Sequence, residues 1–129
     1  MKTDAAIAEI LKREGVDVLF GYPRNRLLEA AAIADIRTII VRQERTGLHM
    51  ADAVSRLTRG RRMGVFCMQH GPGAENAYGG VAQAYGDSVP VLVLPQGYAS
   101  GSGRPSVKRL VAGSLGWDKR FAASRSVLL

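Results

Sequence analysis

Cysteine is nearly missing from this chain: Cys67 is the only one among 129 residues. An internal disulfide and a zinc site of clustered thiolates are therefore excluded. Cys67 lies inside Met63-Gly64-Val65-Phe66-Cys67-Met68, where it reads as a buried, apolar-like thiol rather than a nucleophile. Aromatic residues are also scarce, at 6%, which argues against the interleaved stacking surface of a single-strand nucleic-acid binder. No apolar run reaches the roughly 18 residues that would suggest a membrane span. The spacing of His49 and His70 gives no metal motif. Neither a GxGxxG fingerprint nor a Gly-rich Lys-Ser/Thr phosphate loop is present. The opening Met1-Lys2-Thr3-Asp4 leads into alternating apolar and charged residues rather than the core of a signal peptide, so a cytoplasmic protein is expected.

Acidic residues are few relative to basic ones, and the net charge of +7 raises the question of nucleic acid. Its distribution answers against a specific nucleic-acid role. Residues 1–98 hold 12 Lys and Arg against 10 Asp and Glu, whereas residues 99–129 hold six against Asp118 alone. The excess sits in a Gly/Ser-containing tail that carries no recognisable nucleic-acid module.

What is present is a repeating order of helices and short apolar strands. A hydrophobic content of 47% suits one compact domain. Residues 3–14 predict a helix with Ile7, Ile10 and Leu11 on one face, stopped at Gly15. Strands are predicted at 16–20, 38–41, 63–68 and 89–94, with helices at 27–34, about 44–59 and about 74–85 between them. Pro90 belongs at the start of its strand, where a lost donor is tolerated. This alternation predicts an α/β fold, a parallel sheet with flanking helices. Ligands of such sheets gather beyond the C-terminal strand ends. Four loops fall there: Gly21–Asn25, Arg42–Thr46, Gln69–Gly73 and Pro95–Tyr98. The order is lost after residue 98. The segment 99–106 reads as a linker, short helices near 106–112 and 118–128 are compatible with the sequence, and no further strand stands out.

Within those loops, Glu44 is the leading candidate. It opens the third helix, so it is either an acid placed favourably in a first helical turn or a ligand-facing group. Enclosure by apolar walls would make its protonated form more accessible for proton donation. Gly71-Pro72-Gly73 is either a tight turn, the favoured reading, or a source of exposed amides for a ligand. Asn76 and Gln96 can recognise a polar ligand edge or satisfy nearby backbone. His70, Arg24 and Arg26 read more readily as solvated or structural, Met50 and Met68 as core, and Asp87 as a turn residue.

Five segments in order sharpen this picture. They are Leu19-Phe20-Gly21-Tyr22-Pro23, Val41-Arg42-Gln43-Glu44-Arg45-Thr46-Gly47, His49-Met50-Ala51-Asp52-Ala53-Val54-Ser55-Arg56, Gly71-Pro72-Gly73-Ala74-Glu75-Asn76 and Tyr85-Gly86-Asp87-Ser88-Val89-Pro90-Val91. Over residues 1–98 the chain resembles the N-terminal pyrimidine-binding domain of the acetolactate synthase-like thiamine-diphosphate family. The resemblance implies an incomplete version of that domain, with residues 99–129 as a divergent basic ending such as a truncated or frame-altered gene product would carry. It implies that Glu44 contacts N1′ of the cofactor's aminopyrimidine and promotes the tautomer that removes the C2 proton. It also places Pro23, Gly73, Asn76 and Gln96 near the cofactor or substrate pocket.

The diphosphate and Mg²⁺ would be held by a partner's pyrophosphate-binding domain, since its Gly-Asp-Gly motif is absent here and the chain itself offers no metal site. A 2-oxo acid would be decarboxylated or ligated only in the complete complex, whether with a separate subunit or in a homo-oligomer. The expected function is thus that of a partial relative, inactive alone. The alternatives are a small subunit completing a site with a partner chain, or a non-catalytic ligand- or protein-binding module. Three departures from the family pattern stand out: Arg24-Asn25 where many relatives have a Gly-Gly pair, Ala53 in place of a glycine, and His70 in place of a small polar residue.

Overall fold

A computed structural model of the protein describes residues 2–23 and 25–97 together with the short strand Val127–Leu128. The chain runs α1 (Thr3–Arg13), β1 (Val18–Gly21), α2 (Leu27–Ile33), β2 (Arg37–Ile40), α3 (Glu44–Leu57), β3 (Gly64–Met68), α4 (Pro72–Gly86), β4 (Val91–Pro95) and β5 (Val127–Leu128). The strands form one parallel sheet in the order β2-β1-β3-β4-β5. The predicted α/β fold with a parallel sheet and flanking helices is therefore observed. No helix among the described residues is long and apolar enough to cross a membrane.

Alternation along the strands sorts the core into two layers. Val65 and Cys67 of β3 and Leu19 of β1 face α1 and α2, joining Ala8, Leu11, Leu27, Leu28 and Ala31. Phe66 and Met68 of β3 and Phe20 of β1 face the other way, joining Leu48 and Ala51 of α3 and Ala77, Val81 and Ala84 of α4. Every residue of β3 is buried, as befits a central strand covered on both faces. β2 lies at the edge, and its Ile40 stays exposed.

Element ends differ from the predicted ones where a local hydrogen bond outweighs strand propensity. The Val16 amide closes the end of α1 by donating to the Leu11 carbonyl at 3.0 Å, beside Gly15 at φ 79°, so β1 opens at Val18. Helix α4 starts at Pro72, two residues early. Gly71 takes φ 64° and ψ −115°, a conformation that suits glycine, and Pro72 then fits the first helical position with its fixed φ and missing donor. Pro90 stands just before β4 rather than inside it. The strand Val127–Leu128, parallel to Val91–Leu92, replaces the end of a helix predicted near 118–128. An open β4 edge leaves backbone groups unpaired, and an extended apolar pair satisfies two of its positions. The helix predicted near 106–112 lies outside the described residues.

Helix α3 sits unusually close to the sheet because small residues stand at each crossing. A Cβ at Gly64 would be 1.8 Å from the Ala51 carbonyl oxygen, and one at Gly47 would be 2.3 Å from the Phe66 ring. Ser55 clasps the same contact: its hydroxyl donates to the Pro90 carbonyl at 2.5 Å and accepts from the Gly64 amide at 2.8 Å. At the far end of α3, Arg56 donates to Asp52 at 2.5 Å and to Asp87 at 2.7 Å, tying α3 to the C-terminus of α4. Those hydrogen bonds, first Asp52 and then Asp87, raise the Arg56 guanidinium above its ordinary value.

Gly64→Ala should lower the stability measured by urea unfolding by about 1–3 kcal/mol or more, because α3 must lift or the strand must shift. Gly86→Ala, whose added Cβ meets nothing within 4 Å, should be neutral or stabilise by up to about 1 kcal/mol through helix propensity. Cys67 offers a pH test. Burial pushes its thiol up to about 12, so the folded state favours the protonated form. Stability from this group is intact below the unfolded thiol value and declines as pH rises from there toward about 12. Maleimide at pH 8 should accordingly label Cys67 only in denaturant, as read by mass.

Candidate functional site

The C-terminal edge of the sheet gathers the four loops named from the sequence, and the topology decides which of them can form a site. β1 leads by way of α2 to β2 on one side, whereas β3 leads by way of α4 to β4 on the other. The loops after β1 and β3 therefore diverge, and a crevice is expected between them. Asn25 fills it. Its Nδ2 donates to the Met68 carbonyl at 2.9 Å and to the Leu94 carbonyl at 3.2 Å, while its Oδ1 accepts from the Leu27 amide at 3.0 Å. One buried side chain thus joins the ends of β3 and β4 to the start of α2. The Gln96 amide also donates to the Met68 carbonyl, at 2.8 Å.

The polar cluster lies between the N-termini of α3 and α4. Glu44 is the first residue of α3 and only 4% exposed. The extended Gln43 turns the chain into the helix, and a carboxylate in the first turn is favoured by the unpaired amides there. Its Oε2 accepts a hydrogen bond from Asn76 Nδ2 at 3.1 Å. Asn76 lies one turn into α4 and is itself exposed. Gly73, buried in the first turn of α4, lets Gln69 and Glu44 close in on it: a Cβ there would stand 3.2 Å from Glu44 Oε1 and 2.6 Å from Gln69 Cγ.

The structure thus brings together Glu44, Gly73 and Asn76. Pro23, exposed in the loop after β1, and Gln96, half-buried after β4, share the edge. Among the described residues no side-chain hydrogen bond joins Gln96 to the cluster. Arg42 and Arg45 are exposed on either side of Glu44, and Arg45 Nε lies 3.7 Å from where a Cβ of Gly79 would be. His70 is half-buried in its loop, Met68 is core, and Arg24 lies outside the described residues. Asn25 was visible in the sequence only as a departure from the family pattern. An Asn just ahead of a helix is a recognisable turn signal, but its reach to Met68 and Leu94, 43 and 69 residues away, leaves no local mark.

Chemically, the cluster offers a nearly buried carboxylate with one oxygen held by a neutral donor. Its other oxygen borders a position without a side chain. Such a carboxyl group can exchange a proton with a bound partner.

Comparison with known proteins places these residues in context. The family model described as thiamine pyrophosphate enzyme, N-terminal TPP binding domain, matches residues 1–113. The acetolactate synthase large subunit of Parasynechococcus marenigrum is 42% identical over 97 residues, covering 70% of this chain and 15% of the relative. The probable acetolactate synthase large subunit of Methanocaldococcus jannaschii is 39% identical over 97 residues, covering 73% and 16%. This chain therefore spans less than a fifth of the length of these relatives. Benzoylformate decarboxylase from Polynucleobacter necessarius shares the fold, with a TM-score of 0.63 over 78% of this chain and 19% of that one, at 21% identity.

Asn25→Ala should destabilise the chain by about 1–3 kcal/mol in urea unfolding, since it removes the donor shared by two strand-end carbonyls. Asn25→Asp should cost more, because a carboxylate would then face those carbonyl oxygens.

Proposed function

This chain belongs to the thiamine pyrophosphate enzyme family through its N-terminal TPP-binding domain, and from that premise we propose that it supplies the aminopyrimidine half of a thiamine diphosphate site, with Glu44 as the catalytic carboxylate. The observation that carries the reading is the placement of Glu44: first residue of α3, nearly buried, and hydrogen-bonded to Asn76 beside the bare Cα of Gly73. These residues fit an aminopyrimidine. The ring needs a carboxyl partner for its nitrogen, which Glu44 supplies, and at Gly73 a side chain would crowd that carboxyl group and Gln69.

When bound, thiamine diphosphate supplies the electron sink for decarboxylation or carboligation of a 2-oxo acid. The chain's own part is narrower. Glu44 exchanges a proton with the ring nitrogen through its carboxyl group. Gly73 and Asn76 border the ring. Pro23 and Gln96 close the pocket from the loops after β1 and β4. The diphosphate and Mg²⁺ are held from outside residues 1–129, by a pyrophosphate-binding domain on a partner, so the chain is inactive alone. On this reading residues 1–98 form the domain-like part, residues 99–129 are a divergent basic tail, and the complex is cytoplasmic. Full acetolactate synthase activity belongs to the relatives and extends to this chain only within such a complex.

The test is capture from native extract with Mg²⁺ and thiamine diphosphate, followed by NMR measurement of C2 proton exchange on the recovered complex. Recovery of a stoichiometric partner with a pyrophosphate-binding domain is expected. Glu44→Gln should then slow exchange by about 10²–10⁴-fold, the range of a positioned acid or base, with little change in folding. Exchange at the parent rate in the Glu44→Gln complex sinks the proposal.

A further inference from the structure

The two oxygens of Glu44 are not equivalent in this fold. Oε2 accepts the Asn76 amide at 3.1 Å. Oε1 makes no hydrogen bond among the described residues and faces the position where a Gly73 Cβ would lie, 3.2 Å away. The terminal torsion of a glutamate is broad, so a carboxylate anchored only through its helix can swing. A second attachment at one oxygen fixes the plane and, with it, the direction of the other.

We propose that Asn76 is a positioning residue: it holds Oε2 of Glu44 so that Oε1 is the atom presented beside Gly73 to the ring nitrogen. This rests on the reading of Glu44 given above and assigns Asn76 a task besides bordering the ring, since one of its two amide hydrogens is engaged by Glu44. The chemistry of the pair supports the assignment. An amide donates without carrying charge, so it orients the carboxylate without forming the ion pair that Lys or Arg would impose. The geometry is reproducible because both partners sit on helices, Glu44 at the first residue of α3 and Asn76 one turn into α4. Those helices pack on the same sheet face, where Leu48 meets Gly80 with only 2.8 Å between its Cδ2 and a hypothetical Cβ.

Two measurements test this on the full chain and its complex. In the chain labelled with ¹³C at the glutamate carboxyl, the Glu44 resonance is assigned by its loss in Glu44→Gln. Asn76→Ala should move that resonance at fixed pH while those of Glu9, Glu14 and Glu29 stay in place. Asn76→Gln, whose longer donor has room because position 76 is exposed, should bring it back toward the parent value. In the cofactor-loaded complex, Asn76→Ala should slow C2 proton exchange about tenfold, the worth of one such hydrogen bond. Asn76→Asp should slow it further, since a second carboxylate then opposes Glu44 where the amide had donated.

A Glu44 resonance that does not respond to Asn76→Ala overturns the inference. So does an Asn76→Asp complex that exchanges at the parent rate, or one whose loss merely tracks a loss of fold. A responsive resonance combined with exchange indifferent to Glu44→Gln overturns instead the functional reading, and the task of Asn76 with it.

Discussion

The seating of α3 against the sheet governs the position of the candidate site. Its closest approaches occur where no side chain intervenes, at Gly64 beneath the Ala51 carbonyl and at Gly47 against Phe66. Close packing of this kind leaves little freedom to slide, because any displacement meets backbone or a buried ring rather than a flexible side-chain end. Ser55 adds direction by bonding the Gly64 amide and the Pro90 carbonyl together. A helix pinned along its length in this way delivers its first residue, Glu44, to one place at the sheet edge. The placement of the carboxylate is thus a consequence of packing about three turns away as much as of its own surroundings.

The second constraint is Asn25. In an open parallel sheet the crevice between diverging loops is the natural ligand position. Here an amide side chain reaches across it with three hydrogen bonds, two of them to the Met68 and Leu94 carbonyls of β3 and β4. The Met68 carbonyl already accepts the Gln96 amide, so Asn25 braces the strand ends rather than satisfying an orphaned group. A flexible pair of glycines could not brace them in this way.

Much of this was legible in the sequence, for identifiable reasons. Helices α1 to α4 and strands β1 to β4 followed from periodicity, because the strands are short and rich in apolar or β-branched residues, with Gly or Pro near the ends of β1, β3 and β4. Glu44 was legible because it follows a β-branched strand and opens an amphipathic helix. Its pairing with Asn76 was not, since the spacing of 32 residues carries no local signal. The early start of α4 was hidden by Pro72, which reads as a breaker yet fits a first helical turn once Gly71 adopts positive φ. Strand β5 was hidden because two apolar residues suffice to pair with an edge, far below the length at which alternation can be recognised.

The same geometry says what a complete site must add. Glu44 is nearly buried at the start of α3, and its Oε2 is engaged by Asn76. At the same sheet edge this chain presents exposed Arg42 and Arg45 and the exposed loop at Pro23. On the proposed reading, a bound ring would need shielding on its outer face, since electrostatic control of a proton weakens when water has access. A partner surface that covers the ring and neutralises a diphosphate would supply it, while this chain's packing and the Asn76 hydrogen bond hold the carboxyl group in place.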